Sequence, residues 1–143
     1  MQVENARKEG NALLVNEIGS TSEIEFPVLH DRRYPVHRIA DRLEPYLRVI
    51  VERFHPQRII LFGSYAHGQP NEHSDVDLLI VRSDITSERE CNIAMRRAFW
   101  GLSERRLPFT LLSKTPAELQ AKLDERSPFF QEVMERGVEL YAA

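Results

Sequence analysis

The stretch Arg58-Ile59-Ile60-Leu61-Phe62-Gly63-Ser64-Tyr65-Ala66-His67-Gly68-Gln69-Pro70-Asn71-Glu72-His73-Ser74-Asp75-Val76-Asp77-Leu78-Leu79-Ile80-Val81 decides how the rest of the chain is read. Two apolar runs bracket a polar turn. The first run, Ile59 to Phe62, is short and opens on β-branched residues, and Gly63 stops it, which predicts a buried strand ending at a sharp bend. Glycine lets the backbone come close to a ligand. The amides that follow, with the Ser64 hydroxyl at the start of a helical turn, make a seat for a phosphate. Ten residues after Ser64 the chain enters a second strand, Asp75 to Val81. A strand's period of two puts Asp75 and Asp77 on one face at its beginning, with Val76 on the other.

Two carboxylates side by side on a rigid strand repel, and each favours its protonated form unless a cation neutralises the pair. A divalent ion does so. Hard oxygen ligands suit Mg²⁺, which takes one or two protein carboxylates and fills its other positions with water and substrate phosphates. Phosphate seat and metal seat therefore belong to one site: Gly63 and Ser64 for the nucleotide phosphates, Asp75 and Asp77 for metal and catalysis. Either half alone is also explained by an ordinary tight turn or a solvated strand end. Both halves at this spacing arise by chance in well under ~1% of chains of this length, given single-digit percentage frequencies for Gly, Ser and Asp.

Gly63, Ser64, Asp75 and Asp77, flanked by Leu-Phe-Gly-Ser-Tyr-Ala and Ser-Asp-Val-Asp-Leu-Leu-Ile-Val, resemble the Gly-Ser-x10-Asp-x-Asp signature of the minimal nucleotidyltransferases, small members of the DNA polymerase β-like superfamily. The resemblance spans roughly Arg38 to Tyr141. It implies transfer of a nucleoside monophosphate from a nucleoside triphosphate, ATP first among them, to an acceptor hydroxyl, with Mg²⁺ as cofactor. It also implies a partner: relatives of this kind pair with a small helical HEPN-type toxin and act as its antitoxin by adenylylating a tyrosine. An assembly of identical copies is the other arrangement the sequence leaves open. The family places a third acid on the following strand, and aligning this chain through Leu111-Leu112-Ser113 puts Thr110 there, with Asp84 and Glu104 as acids in the vicinity. The class-distinct alternative is therefore a catalytically degenerate module that binds a nucleotide or a partner. His67 stands where the family has an arginine, and His73 precedes Ser74-Asp75.

At 143 residues the chain fits one core of ordinary size. Its 42% hydrophobic and 29% charged residues place it among globular proteins, and no apolar run reaches the length of a membrane span. Met1 to Gly10 are polar and mixed in charge, unlike a secretory signal, so a cytoplasmic location is expected. A net charge of −3 argues against broad binding to a nucleic-acid backbone. The lone Cys91 forms no internal disulfide and reads as a small core residue.

The rest of the chain fills in around the central stretch. Residues 1–33 are expected to be an N-terminal extension, either partly disordered or an arm on a partner, with a short edge strand where Ile24, Phe26 and Val28 alternate. Residues 34–143 form the nucleotidyltransferase domain. Apolar positions from Val36 to Phe54 predict a long helix that Pro45 kinks or restarts, ending before His55-Pro56. Ser87 and Glu90 predict a capped helix whose buried stripe is Cys91, Ala94, Met95, Ala98, Phe99 and Leu102. Leu107 to Leu112 reads as a third strand. Thr115-Pro116 and Ser127-Pro128 open two more helices, the second burying Phe130, Val133 and Met134, and Val138 to Tyr141 adds an edge strand. The fold class is α/β, with a mixed β-sheet and helices mainly on one face.

Overall fold

In the computed structural model, which describes residues 24–103 and 106–143, four strands join in the order β3-β2-β1-β4. Strand β1 (Arg58–Phe62) runs antiparallel to β2 (Val76–Val81), with Phe62 opposite Asp77. Strand β4 (Val138–Ala142) lies antiparallel on the outer side of β1, with an irregularity between Ile59 and Ile60. Strand β3 (Phe109–Lys114) lies parallel to β2 and sets Thr110 opposite Asp77. A parallel pair needs a crossover, which the helix between them supplies. The sheet is mixed, as expected.

Strand periodicity sorts the apolar residues onto two faces. Ile59, Leu61, Leu78, Ile80, Phe109 and Leu111 point into the larger core, where they meet Leu43, Leu47 and Ile50 of α1 (Ala40–Phe54) and Met95 of α3 (Glu88–Ala98). On the opposite face Ile60, Leu79 and Val81 meet Leu119 of α4 (Pro116–Asp124) and Phe130 and Val133 of α5 (Pro128–Arg136). Most of the burial is thus on one face. Asp77 and Thr110 share the second face with Leu79 and Leu112, and the helices there leave both of them half-buried.

Several local expectations change. The alternation at Ile24, Phe26 and Val28 gives no strand: Pro27 opens a 3-10 turn, Pro27–His30, which sinks Phe26 and Leu29 into the main core. Residues 1–23 of the expected extension lie outside the described part. Pro45 does not restart the helix: α1 runs unbroken through it, with Pro45 on the exposed side, where water can take the Asp41 carbonyl it leaves unpaired. The long helix does start late, after a 3-10 turn over Pro35–Ile39, and His55 closes it in the left-handed region at φ 48°. Along α3, Met95 is buried and Cys91 and Ala98 are half-buried, but Ala94 is exposed. That helix packs against a strand edge as well as a core.

Polar side chains of α3 close that edge. Arg96 Nη2 donates to the Phe109 carbonyl (3.0 Å), Asn92 Nδ2 to the Leu111 carbonyl (3.0 Å), and Glu88 Oε2 accepts from the Ser113 amide (2.9 Å). Spaced four apart, these three stand on one helical stripe and pair the Phe109 and Leu111 carbonyls and the Ser113 amide on the outer edge of β3. The helix caps fall where the sequence puts them. Ser87 accepts from the Glu90 amide, Ser127 from the Phe130 amide, and Thr115 and Glu118 form a complete capping box. No helix among the described residues is long and apolar enough to cross a membrane.

Candidate active site

The turn after β1 passes directly over β2. Gly63 adopts φ 78°, a region that L side chains rarely enter, and a Cβ added there would lie 2.0 Å from Asp77 Oδ2. Only glycine fits. Ser64 then begins the four-residue α2 (Ser64–His67), whose chain end folds back so that the Gly68 amide donates to the Ser64 carbonyl at 2.8 Å. A Cβ at Gly68 would come 2.8 Å from Ser64 Cα, so this second glycine keeps the turn tight enough to present Ser64 beside Gly63.

The ten-residue connection back to β2 is held by Asn71. Its Oδ1 accepts from the His73 amide (2.7 Å), its carbonyl from the Ser74 amide (3.0 Å), and its own amide donates to Ser74 Oγ (2.8 Å). That local network sets the entry to Asp75, and the Val76 amide then docks on the Pro108 carbonyl at 2.8 Å.

Asp75 is exposed and Asp77 half-buried, with Thr110 between them. Thr110 Oγ1 donates to Asp75 Oδ2 at 3.2 Å, and Thr110 stands opposite Asp77 across the β2–β3 pairing. Burial pushes the Asp77 carboxyl above its ordinary value, the Thr110 hydrogen bond pulls it partly back, and the charge of Asp75 pushes it up again. Such a pair favours a cation. The donor set fits one divalent ion with two protein carboxylates, and no group of three or more His, Cys, Asp or Glu side chains gathers among the described residues.

The other sequence candidates separate. Asp84 lies past the far end of β2 and is held by Arg82, which also draws its carboxyl below the ordinary value. It cannot serve as the third acid beside Asp77. Glu104 lies outside the described residues. His73 is exposed beside Glu72, 3.6 Å away, in the loop. His67 is exposed too, but its ring stands edge-on to Tyr34 (5.9 Å) and lines a cavity that Asp77 also lines. Cys91 Sγ accepts from Arg82 Nη1 at 3.0 Å, half-buried under the strand end.

That cavity, about 460 Å³, contains what sequence reasoning missed: Phe129, Glu132 and Arg136 of α5 face Gly63 and Asp77 across it. The sequence puts Phe130, Val133 and Met134 on the apolar stripe of α5, and the adjacent Phe129, which that stripe does not need, is the available signal.

The sequence profile of the nucleotidyltransferase domain matches residues 43–131. A search of curated proteins returns no match. Among solved structures, the chain is similar to a candidate nucleotidyltransferase from Sulfolobus solfataricus, at 15% identity and a TM-score of 0.49 over 87% of this chain and 89% of that one. With the profile covering well over half of its length, the chain belongs to the nucleotidyltransferase domain family.

Proposed function

We propose that Gly63 and Ser64 hold the phosphates of a nucleoside triphosphate, that Asp75 and Asp77 hold its Mg²⁺, and that the chain transfers the nucleoside monophosphate to a hydroxyl of a second molecule. The observation that carries this reading is the close approach of the Gly63 turn to Asp77, which supports a single site shared by the turn amides and the two carboxylates. In the transfer, the acceptor oxygen bonds to the α-phosphorus and the bond to the β-phosphate bridge breaks. Pyrophosphate leaves, and the hydroxyl proton passes to a base. Mg²⁺, when bound, neutralises the carboxylates and draws charge from the phosphate oxygens. Ser64 and the turn amides orient the phosphates; Asn71 fixes the loop that carries Asp75.

The finer part of the proposal is the acceptor. As the resemblance to minimal nucleotidyltransferases implies, it is a tyrosine on a small helical HEPN-type protein, ATP is the donor, and the pair works as antitoxin and toxin in the cytoplasm. Titration calorimetry with ATP, GTP, CTP and UTP in Mg²⁺ is the primary test, with nucleotide heat expected for the native protein and its loss expected in Asp75→Asn with Asp77→Asn. No heat from any of the four would sink the site. Labelled nucleotide appearing on a co-purified helical partner supports the acceptor; copies of this chain alone, with no labelled partner, overturn it.

A second reading is favoured by Thr110, whose hydroxyl touches Asp75 where an acid would otherwise complete the site. A neutral hydroxyl is neither a strong metal ligand nor a base at neutral pH. On that reading the protein binds nucleotide but transfers slowly, and Thr110→Asp raises transfer by on the order of 10²–10⁴-fold. Brisk transfer by the native chain, unimproved by the substitution, rejects it.

A further inference from the structure

We infer that the cavity between α2 and α5 is the nucleobase subsite, with Phe129 as its stacking platform and Glu132 and Arg136 as the groups that meet the base edge. The inference rests on the reading that the phosphates sit at Gly63 and Ser64. At about 460 Å³ the cavity falls in the size range of small-molecule sites, far more room than phosphates beside a metal ion require. It is continuous with the candidate site, since Gly63 and Asp77 form part of its lining, so a nucleotide anchored there by its phosphates needs no second entrance.

The wall opposite is built by one face of α5. Positions 129, 132, 133 and 136 follow helical spacing, and all four line the cavity. Phe129 is 48% exposed although Phe130 beside it is buried. Its ring stands edge-to-face with Phe62 at 5.6 Å and with Phe130 at 5.1 Å, contacts that fix the ring's orientation while leaving part of its surface to the cavity. A rigid, half-open aromatic ring beside a phosphate site is what a base stacks on, and stacking tolerates every base. Glu132 and Arg136 are exposed at the mouth and make no hydrogen bond or ion pair with another described residue. The carboxylate can accept from a base N–H, and the guanidinium can donate to a ring nitrogen or carbonyl. A core helix has no use for this trio of aromatic, acid and base on one stripe.

The test compares nucleoside triphosphates with inorganic tripolyphosphate, which has the phosphates and no base. Calorimetry in Mg²⁺ is run on the native chain, Phe129→Ala and Phe129→Leu, with the melting temperature of each recorded. Phe129→Ala is expected to weaken nucleotide binding about tenfold and to leave tripolyphosphate unchanged, since one stacked base is worth roughly that factor. Phe129→Leu keeps apolar bulk without a π-face, so a loss of nucleotide affinity there, at an unchanged melting temperature, excludes a folding defect. Equal affinity of all three proteins for nucleotide overturns the subsite. A native chain that binds tripolyphosphate as tightly as ATP also overturns it, while leaving the phosphate seat standing. Failure of the native chain to bind either ligand removes the phosphate seat, and the subsite with it.

Discussion

Gly63 satisfies two constraints at once. Its φ of 78° costs an L residue roughly 1–3 kcal/mol, and its missing Cβ leaves the space that Asp77 Oδ2 occupies. Gly63→Ala is therefore expected to lower stability by about 1–3 kcal/mol in urea melts and to weaken Mg²⁺-nucleotide binding at least tenfold, because relief of the clash moves Asp77. A variant that binds like the native protein would mean that the turn and the carboxylate are not coupled. Asp77 itself gives the opposite stability sign. Burial first, and Asp75 after it, hold its folded pKa above the ordinary carboxylate value, so the charged carboxylate opposes folding. That penalty is absent at pH below the unfolded value and grows as pH rises through the folded one. Asp77→Asn should raise the melting temperature at pH 7 while abolishing nucleotide binding, and the stability gain should vanish on acidification below the ordinary carboxylate value. An unchanged or lower melting temperature at pH 7 would show that the pair is not strained. Gly63, Ser64, Asp75 and Asp77 were legible from sequence because one strand, one turn and the next strand carry them all. Phe129 and Arg136 were not, since only the packing of α5 on the second face of the sheet brings them opposite Gly63.

Among the elements, α3 shows why a hydrophobic stripe alone describes a helix poorly. Its start at Ser87 and its buried Met95 were readable, but Ala94 is exposed and Glu88, Asn92 and Arg96 turn toward β3. The reason is the unpaired edge of that strand, whose carbonyls and amides need partners that a local pattern does not reveal. Asn92 does most here: it donates to the Leu111 carbonyl and accepts from Ser113 Oγ at 2.6 Å, and Ser113 is fully buried. Asn92→Ala leaves both groups unpaired, an expected loss of about 1–3 kcal/mol in chemical denaturation. With the edge uncovered, association of the variant at high concentration is expected in light scattering. Stability within about 0.5 kcal/mol of the native chain would mean that water replaces the amide at no cost. Helix α1 makes the complementary point, for it runs unbroken through Pro45, which lies on the solvent side.

For the whole molecule, burial reaches N-terminal of both the family match, which begins at residue 43, and the domain start expected at Tyr34. Leu29 is completely buried and Phe26 nearly so. The Phe26 ring lies 6.3 Å from that of Tyr141 in β4, and Arg48 of α1 stands over it at 5.8 Å. The segment thus bridges the edge strand and the long helix, two elements that the chain reaches more than eighty residues apart. Alternating Ile24, Phe26 and Val28 suggested a strand, but Pro27 cannot donate to a ladder and instead starts a 3-10 turn, which turns Phe26 and Leu29 inward together. If this segment belongs to the core, Leu29→Ala should cost about 2–5 kcal/mol, the range for a leucine deleted from a packed interior. A chain beginning at Tyr34 removes Phe26 and Leu29 together and should melt well below the native protein or fail to fold, although it retains every residue of the Gly63–Asp77 site. Loss of nucleotide binding in that shortened chain would then follow from lost folding, which circular dichroism would register in the same sample. A shortened chain with native melting and native nucleotide heat would show instead that the sheet and α1 stand without the segment, and that its burial is docking rather than core.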